Sequence, residues 1–145
     1  MKRMTLTALL ISAFTLSIFA GGKQPIAFKD LPKDVQKEVS KSYNEKEIQF
    51  ITEKKEINRH YSYEFTLKDN TTFIYDDKAK LRVMENPDGI RDVFVPEKIL
   101  KYVQTTFPNT QITRYKKERS CQRVELSEKM ELIFDNYNHF VRINE

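Results

Sequence analysis

The chain has 145 residues, 39% hydrophobic and 32% charged, with 25 Lys and Arg against 21 Asp and Glu for a formal charge of +4. The signs are mixed along nearly the whole length, which argues against a nucleic-acid binder, because such proteins gather basic residues into one stripe. A single cysteine, Cys121, excludes an internal disulfide and leaves a shielded thiol or an intermolecular bridge.

The first element is a leader. Met1-Lys2-Arg3 is basic, Leu6 to Phe19 is apolar except for Thr and Ser, and Ala20-Gly21-Gly22 is small, the three-part layout of a secretory signal peptide. The apolar run falls short of the roughly 18 residues of a spanning helix. Residues 1–22 are therefore read as a signal peptide, cut after Ala20 or after Gly22. No cysteine stands at the junction to carry a lipid, so the expected product is periplasmic or secreted, with no stable membrane insertion after cleavage. Losing Lys2 and Arg3 leaves 23 cationic against 21 anionic residues, a formal +2. About 120 residues remain, enough for one core or for two small halves sharing one.

Residues 23–86 form a first unit. Leu31, Val35, Val39 and Tyr43 recur every four positions, an apolar helical stripe. Pro32 suits the first turn, where its missing N–H costs nothing, and Asp30 is a candidate N-cap. Farther on, Tyr61, Tyr63, Phe65 and Leu67 alternate with polar residues, as expected of a strand buried on one face. The next turn sets the register. A two-residue Asp69-Asn70 loop would put Phe73 and Tyr75 on the face opposite Phe65. A three-residue Lys68-Asp69-Asn70 loop, with Asn70 left-handed, pairs Phe65 with Phe73 and Tyr63 with Tyr75. The second arrangement keeps the aromatic set together and is the one expected. The same rule at Asp77-Lys78-Ala79 pairs Tyr75 with Leu81 and Phe73 with Val83.

Residues 87–93 are a connector, part of a stretch rich in turn formers. Residues 94–145 then repeat the plan. Leu31-Pro32, Val35, Val39, Tyr43 and Ile48 match Val95-Pro96, Ile99, Val103, Phe107 and Ile112, all 64 positions apart. Phe65, Leu67, Phe73, Tyr75-Asp76 and Leu81 match Val124, Leu126, Leu132, Phe134-Asp135 and Phe140, all 59 apart. The five-residue excess falls near Lys54 to Arg59, where a hairpin tip tolerates it. A loop of Asn136-Tyr137-Asn138 pairs Phe134 with Phe140. The expected fold is α+β: tandem helix-plus-four-strand repeats forming one antiparallel sheet of about eight strands, with both helices on the aromatic face.

A Leu-Pro or Val-Pro helix start, an alternating strand ending in Phe65-Thr66-Leu67 or Val124-Glu125-Leu126, and an aromatic-Asp ending, Tyr75-Asp76 or Phe134-Asp135, occur twice behind a signal peptide. This pattern resembles the PepSY-like, beta-lactamase-inhibitor-like envelope proteins of Bacteroidetes, over about Phe28 to Glu145. The resemblance implies tandem helix-plus-four-strand units with a continuous sheet, an envelope location, and a binding or inhibitory role. The chain departs from the family pattern at its turns, with Asp69-Asn70 and Glu128-Lys129 in place of Asp-Gly, and Ala79 and Asn138 in place of Gly. Ala79 and Lys129 are poorly suited to positive φ, which leaves a different loop open at those two turns.

No reactive constellation emerges. His60 and His139 sit beside turns and read as surface histidines. Two histidines and one cysteine at unrelated spacings give no metal-ligand set. Of three glycines, two lie at the leader junction, so no phosphate-cradling loop can form. Asp76 and Asp135 are explained by turn chemistry. Hence no catalytic, cofactor-binding or metal residue is expected, and the chain is not read as an enzyme. Binding is assigned to the sheet face away from the helices. By alternation that face carries Glu64, Thr66, Ile74, Asp76, Lys80, Arg82 and Met84, then Cys121, Arg123, Glu125, Glu131, Ile133, Asp135, Val141 and Ile143. Ile74, Arg82, Met84, Arg123, Ile133 and Val141 are the candidate protein-binding residues, apolar anchors with Arg in a polar surround. The charged tip Lys54 to Arg59 is a second candidate. The function expected is an exported, non-catalytic binding protein with an envelope protein or peptide as partner, inhibiting a peptidase or other hydrolase. The alternative is a small-ligand sensor or carrier, which requires a cavity lined by Tyr43, Tyr63 and Phe107.

Overall fold

The computed structural model describes residues 22–55, 57 and 60–144. The segment read as a signal peptide, apart from Gly22, and most of the expected tip between Lys55 and His60 lie outside the described residues. The elements, in chain order, are β1 Lys23–Pro25, α1 Lys33–Ser40, β2 Ile48–Lys55, β3 Tyr61–Leu67, β4 Thr72–Asp76, β5 Leu81–Glu85, α2 Glu97–Thr106, β6 Ile112–Lys117, β7 Gln122–Leu126, β8 Glu131–Phe134 and β9 Phe140–Asn144. All nine strands form one antiparallel sheet in chain order. Each repeat supplies one helix and four strands, as expected. The ninth strand is β1, which pairs along β2 from Lys23↔Lys54 to Pro25↔Thr52. Three residues ending in proline carry no alternation by which to foresee it.

Both helices begin where the prolines put them. The carbonyls of Pro32 and Pro96 accept the first helical bonds, from the amides of Gln36 and Leu100. Asp30 is not the N-cap; it closes a separate 3-10 turn, Phe28–Asp30, and Pro32 occupies the cap position without a side-chain bond. Gln36 instead reaches back to the Leu31 carbonyl at 2.7 Å. One face of each helix is buried, through Val35 and Val39 in α1 and through Ile99 and Val103 in α2.

The turns fix which side chains meet those helices. Phe65 opposes Phe73 and Tyr63 opposes Tyr75, as the three-residue loop requires. Asn70, Ala79, Lys129 and Asn138 have φ of 67°, 56°, 63° and 66°. The left-handed turn therefore survives at Ala79 and Lys129, despite the poor fit of a Cβ there. Equivalent turns in the two repeats share one backbone geometry even where their residues differ.

Four bulges qualify the simple alternation. Gln49 in β2 and Thr113 in β6 are extra residues 64 positions apart, and Arg82 in β5 and Val141 in β9 are extra residues 59 apart. Tyr75 opposes Leu81 as expected, but Phe73 opposes Met84 rather than Val83. Past a bulge every side chain changes face. Met84 therefore enters the core, fully buried, and Val83 turns outward.

On the helix side, Ile51, Phe65, Phe73, Met84, Tyr115, Val124 and Leu132 form a continuous row across seven strands. Each helix packs on its own half of this layer, and Ile90 of the connector touches both clusters. Tyr43 stacks on Phe73 and Phe94, with ring centroids 4.8 and 5.5 Å away. A buried side chain of this size contributes about 1.5–3 kcal/mol, so this shared layer carries the fold without a disulfide.

Candidate binding face

Opposed residues of an antiparallel pair point to the same side of the sheet. The register therefore defines a second row on the helix-free face: Thr52, Glu64, Ile74, Val83, Lys116, Arg123, Ile133 and Arg142. Ile74 and Val83 are neighbours in it, and Ile133 lies between Arg123 and Arg142.

Among the described residues, this face holds most of the ion pairs. Lys23 meets Glu64 at 2.6 Å, and Arg82 meets Asp76 at 2.6 Å. Lys116 and Arg123 converge on Glu118 at 2.7 and 3.1 Å, and Arg123 also reaches Glu131 at 3.0 Å. The cations around Glu118, together with the Cys121 thiol, hold its carboxyl down to about 2. Partial burial works to raise the Asp76 pKa. The Lys80 amide and the Arg82 guanidinium outweigh it and keep the group below the usual carboxylate range.

Three adjoining hollows cross the face. The first, about 570 Å³, is lined by residues of β1 to β5 that include Lys23, Glu64, Ile74, Asp76 and Arg82. A second, sharing Arg82 and Arg119 with it, continues over Val83, Lys116 and Lys117. A third, about 290 Å³, surrounds Arg123 with Glu118 and Glu131.

The six candidate residues do not all gather here. Ile74 and Arg82 line the first hollow and Arg123 the third, whereas Ile133, beside Arg123 in the register, is buried and offers no open anchor. Met84 belongs to the core and leaves the set. Val141 is the unopposed bulge residue of the edge strand β9, 56% exposed. Ile143 opposes Leu132 and so lies on the helix side of that edge strand. Simple alternation missed Val83, Arg142 and the β6 residues Arg114 and Lys116. The adjacent apolar pairs Val83-Met84 and Phe140-Val141 interrupt the period of two and were the available sign of the bulges.

The remaining reactive groups are occupied locally. His60 Nδ1 lies 2.8 Å from Asp77, and His139 Nδ1 lies 3.1 Å from Asp135. Cys121 Sγ donates to Glu118 at 3.4 Å, and burial first, then that carboxylate, push its thiol pKa up, opposite to activation. Among the described residues no group of three or more His, Cys, Asp or Glu could hold a metal ion. None of their helices is long and apolar enough to cross a membrane. The space around Tyr43 is filled by the Phe73 and Phe94 rings, which counts against the ligand cavity of the carrier alternative.

The family model described as "Putative beta-lactamase-inhibitor-like, PepSY-like" matches twice, over residues 21–83 and 87–142. Among solved structures, a protein described as a "putative periplasmic protein from DUF2874 family" of Bacteroides vulgatus superposes with a TM-score of 0.77 at 20% identity, covering 87% of this chain and 99% of that one. A protein described as "putative calcium-regulated periplasmic" from Bacteroides thetaiotaomicron gives 0.77 at 19%, covering 85% and 97%. Another, described as a "putative periplasmic protein of unknown function" from Bacteroides vulgatus, gives 0.77 at 17%, covering 86% and 100%. None of the curated proteins matches the chain.

Proposed function

Because the chain belongs to the PepSY-like, beta-lactamase-inhibitor-like family, we propose that it is an exported, non-catalytic periplasmic binding protein that holds a protein partner on its helix-free sheet face and restrains an envelope hydrolase. The observation that carries this reading is the helix-free row, where the apolar pair Ile74 and Val83 lies among fixed ion pairs. Apolar anchors within a polar rim are what a non-obligate interface uses. The side chains are already positioned by Asp76–Arg82 and Glu118–Arg123, so little ordering remains on association. The periplasmic description of the three similar structures and the leader-like composition of residues 1–22 support this compartment.

Calcium, named for one of those structures, would meet Glu64, Asp76, Glu118 and Glu131 already bonded to Lys or Arg here. It would have to displace those cations.

The test is affinity capture from native envelope extract with the wild-type protein and with an Ile74→Asp/Val83→Asp variant whose fold is verified by circular dichroism. The expected result is a captured hydrolase that is lost by the variant and whose activity falls when wild-type protein is added. Equal capture by the folded variant would reject the face.

A further inference from the structure

The proposed face is not electrically neutral, and its imbalance is concentrated at one end. The first two hollows, joined through Arg82 and Arg119, are lined by seven Lys and Arg against four Asp and Glu, a net +3 in a chain whose formal total is +4. All four carboxylates have a basic partner: Glu64 has Lys23, Asp76 has Arg82, Asp77 has His60 and Glu118 has Lys116. Among the described residues, the side chains of Lys78, Lys117 and Arg119 make no ion pair. Lys117 ends β6 opposite Gln122, on the helix side of the register, whereas Lys78 and Arg119 project from two neighbouring turns, between β4 and β5 and between β6 and β7. Beneath them, Ile74 and Val83 supply an apolar floor.

From this we infer that the joined groove takes an extended acidic segment of the partner protein, with carboxylates facing Lys78 and Arg119 and small apolar side chains on Ile74 and Val83. This rests on the reading of the helix-free face as the binding face and names the chemistry of what it binds. A small anion would need a closed pocket to bury most of its surface, whereas this groove crosses from β1 to the β6–β7 turn and suits a chain. A flat bilayer could touch the cationic turn tips but could not reach the Ile74 and Val83 floor between them. Cations left without partners in a groove whose carboxylates already have basic partners attract an acidic chain and set its register more than its raw affinity.

The probe is a short fluorescein-labelled peptide in which Glu alternates with Val and Thr, titrated into the mature protein by fluorescence anisotropy. Binding should weaken as salt is raised, because surface charge is screened. It should also weaken by roughly tenfold or more in a Lys78→Glu/Arg119→Glu variant. These two side chains take no part in the core, so the variant should keep its melting temperature. A milder Lys78→Gln/Arg119→Gln variant covers the case in which charge reversal disturbs the turns. Equal binding of the same peptide with Gln for Glu, or unchanged binding by both variants, would overturn the inference. So would tighter binding to phosphatidylglycerol vesicles than to the peptide. If the envelope partner is still captured and is lost by Ile74→Asp/Val83→Asp but not by the charge variants, the face stands and the acidic-segment inference alone falls.

Discussion

Asp76 and Asp135, 59 positions apart, perform the same act in the two repeats. Oδ1 of Asp76 accepts from the amides of Lys78 and Lys80 at 3.0 and 2.9 Å, and Oδ1 of Asp135 accepts from those of Tyr137 and His139 at 2.8 Å each. Each carboxylate closes the turn behind its strand and leaves Oδ2 for a basic neighbour, Arg82 in one case and His139 in the other. Paired position in the sequence thus reflects paired turn geometry.

Asp76→Ala therefore removes two amide acceptors and strands Arg82, and should destabilise the protein by about 1.5–3 kcal/mol. Asp135→Ala should cost less, because its turn is more open to water. Urea denaturation of both variants checks the order. Equal and negligible losses would mean that the turns hold without their carboxylates.

Much of this was legible because the constraint was local and doubled. Phe65 and Phe73 could be paired from the sequence since only one loop length keeps both aromatics on one face, and the repeat offered a second instance at Phe134 and Phe140. The face of Met84 was misread because a bulge moves a side chain across the sheet without changing composition, and one insertion at Arg82 was enough. The ion pairs were not legible for another reason. Lys23 and Glu64 are 41 residues apart, and they meet only through β1, whose three residues show no period. Strand neighbours that depend on long-range register lie beyond any reading of local alternation.

Residues 83 and 84 separate core from surface. Met84 is fully buried, so Met84→Ala should cost about 2–5 kcal/mol in lost contact and cavity. Val83→Ala, on the half-exposed outer face, should cost much less. If the bulge at Arg82 were absent the order would reverse, so the two melting temperatures read the register directly.

Ala79 and Lys129 hold left-handed φ of 56° and 63°, a conformation that costs an L-residue with a Cβ roughly 1–2 kcal/mol. Glycine relieves that cost but adds unfolded-state freedom. Lys129→Gly should raise stability by about 0.5–1 kcal/mol. Ala79→Gly should gain less, since Ala79 packs against the first core cluster and its methyl would be lost. A fall in the melting temperature of Lys129→Gly would show that the Lys side chain contributes more than the backbone strain it imposes.

Glu118 should make stability depend on acid. Its carboxyl is held from an ordinary 4.5 down to about 2, chiefly by Lys116, then by Arg123 and the Cys121 thiol. A group whose folded-state value is depressed stabilises the protein fully above its unfolded value and loses that contribution as pH falls through the folded one. The window for Glu118 thus runs from about pH 4.5 down to about 2. Other carboxylates with lowered values, Asp69, Asp76 and Asp135, add their own losses, so the informative quantity is the difference between wild type and Glu118→Gln. The wild-type melting temperature should fall more steeply than the variant's between those limits at low ionic strength. The gap should narrow as salt screens these partly exposed pairs. Parallel curves at low salt would mean that Lys116 and Arg123 lie beside Glu118 without stabilising its charge.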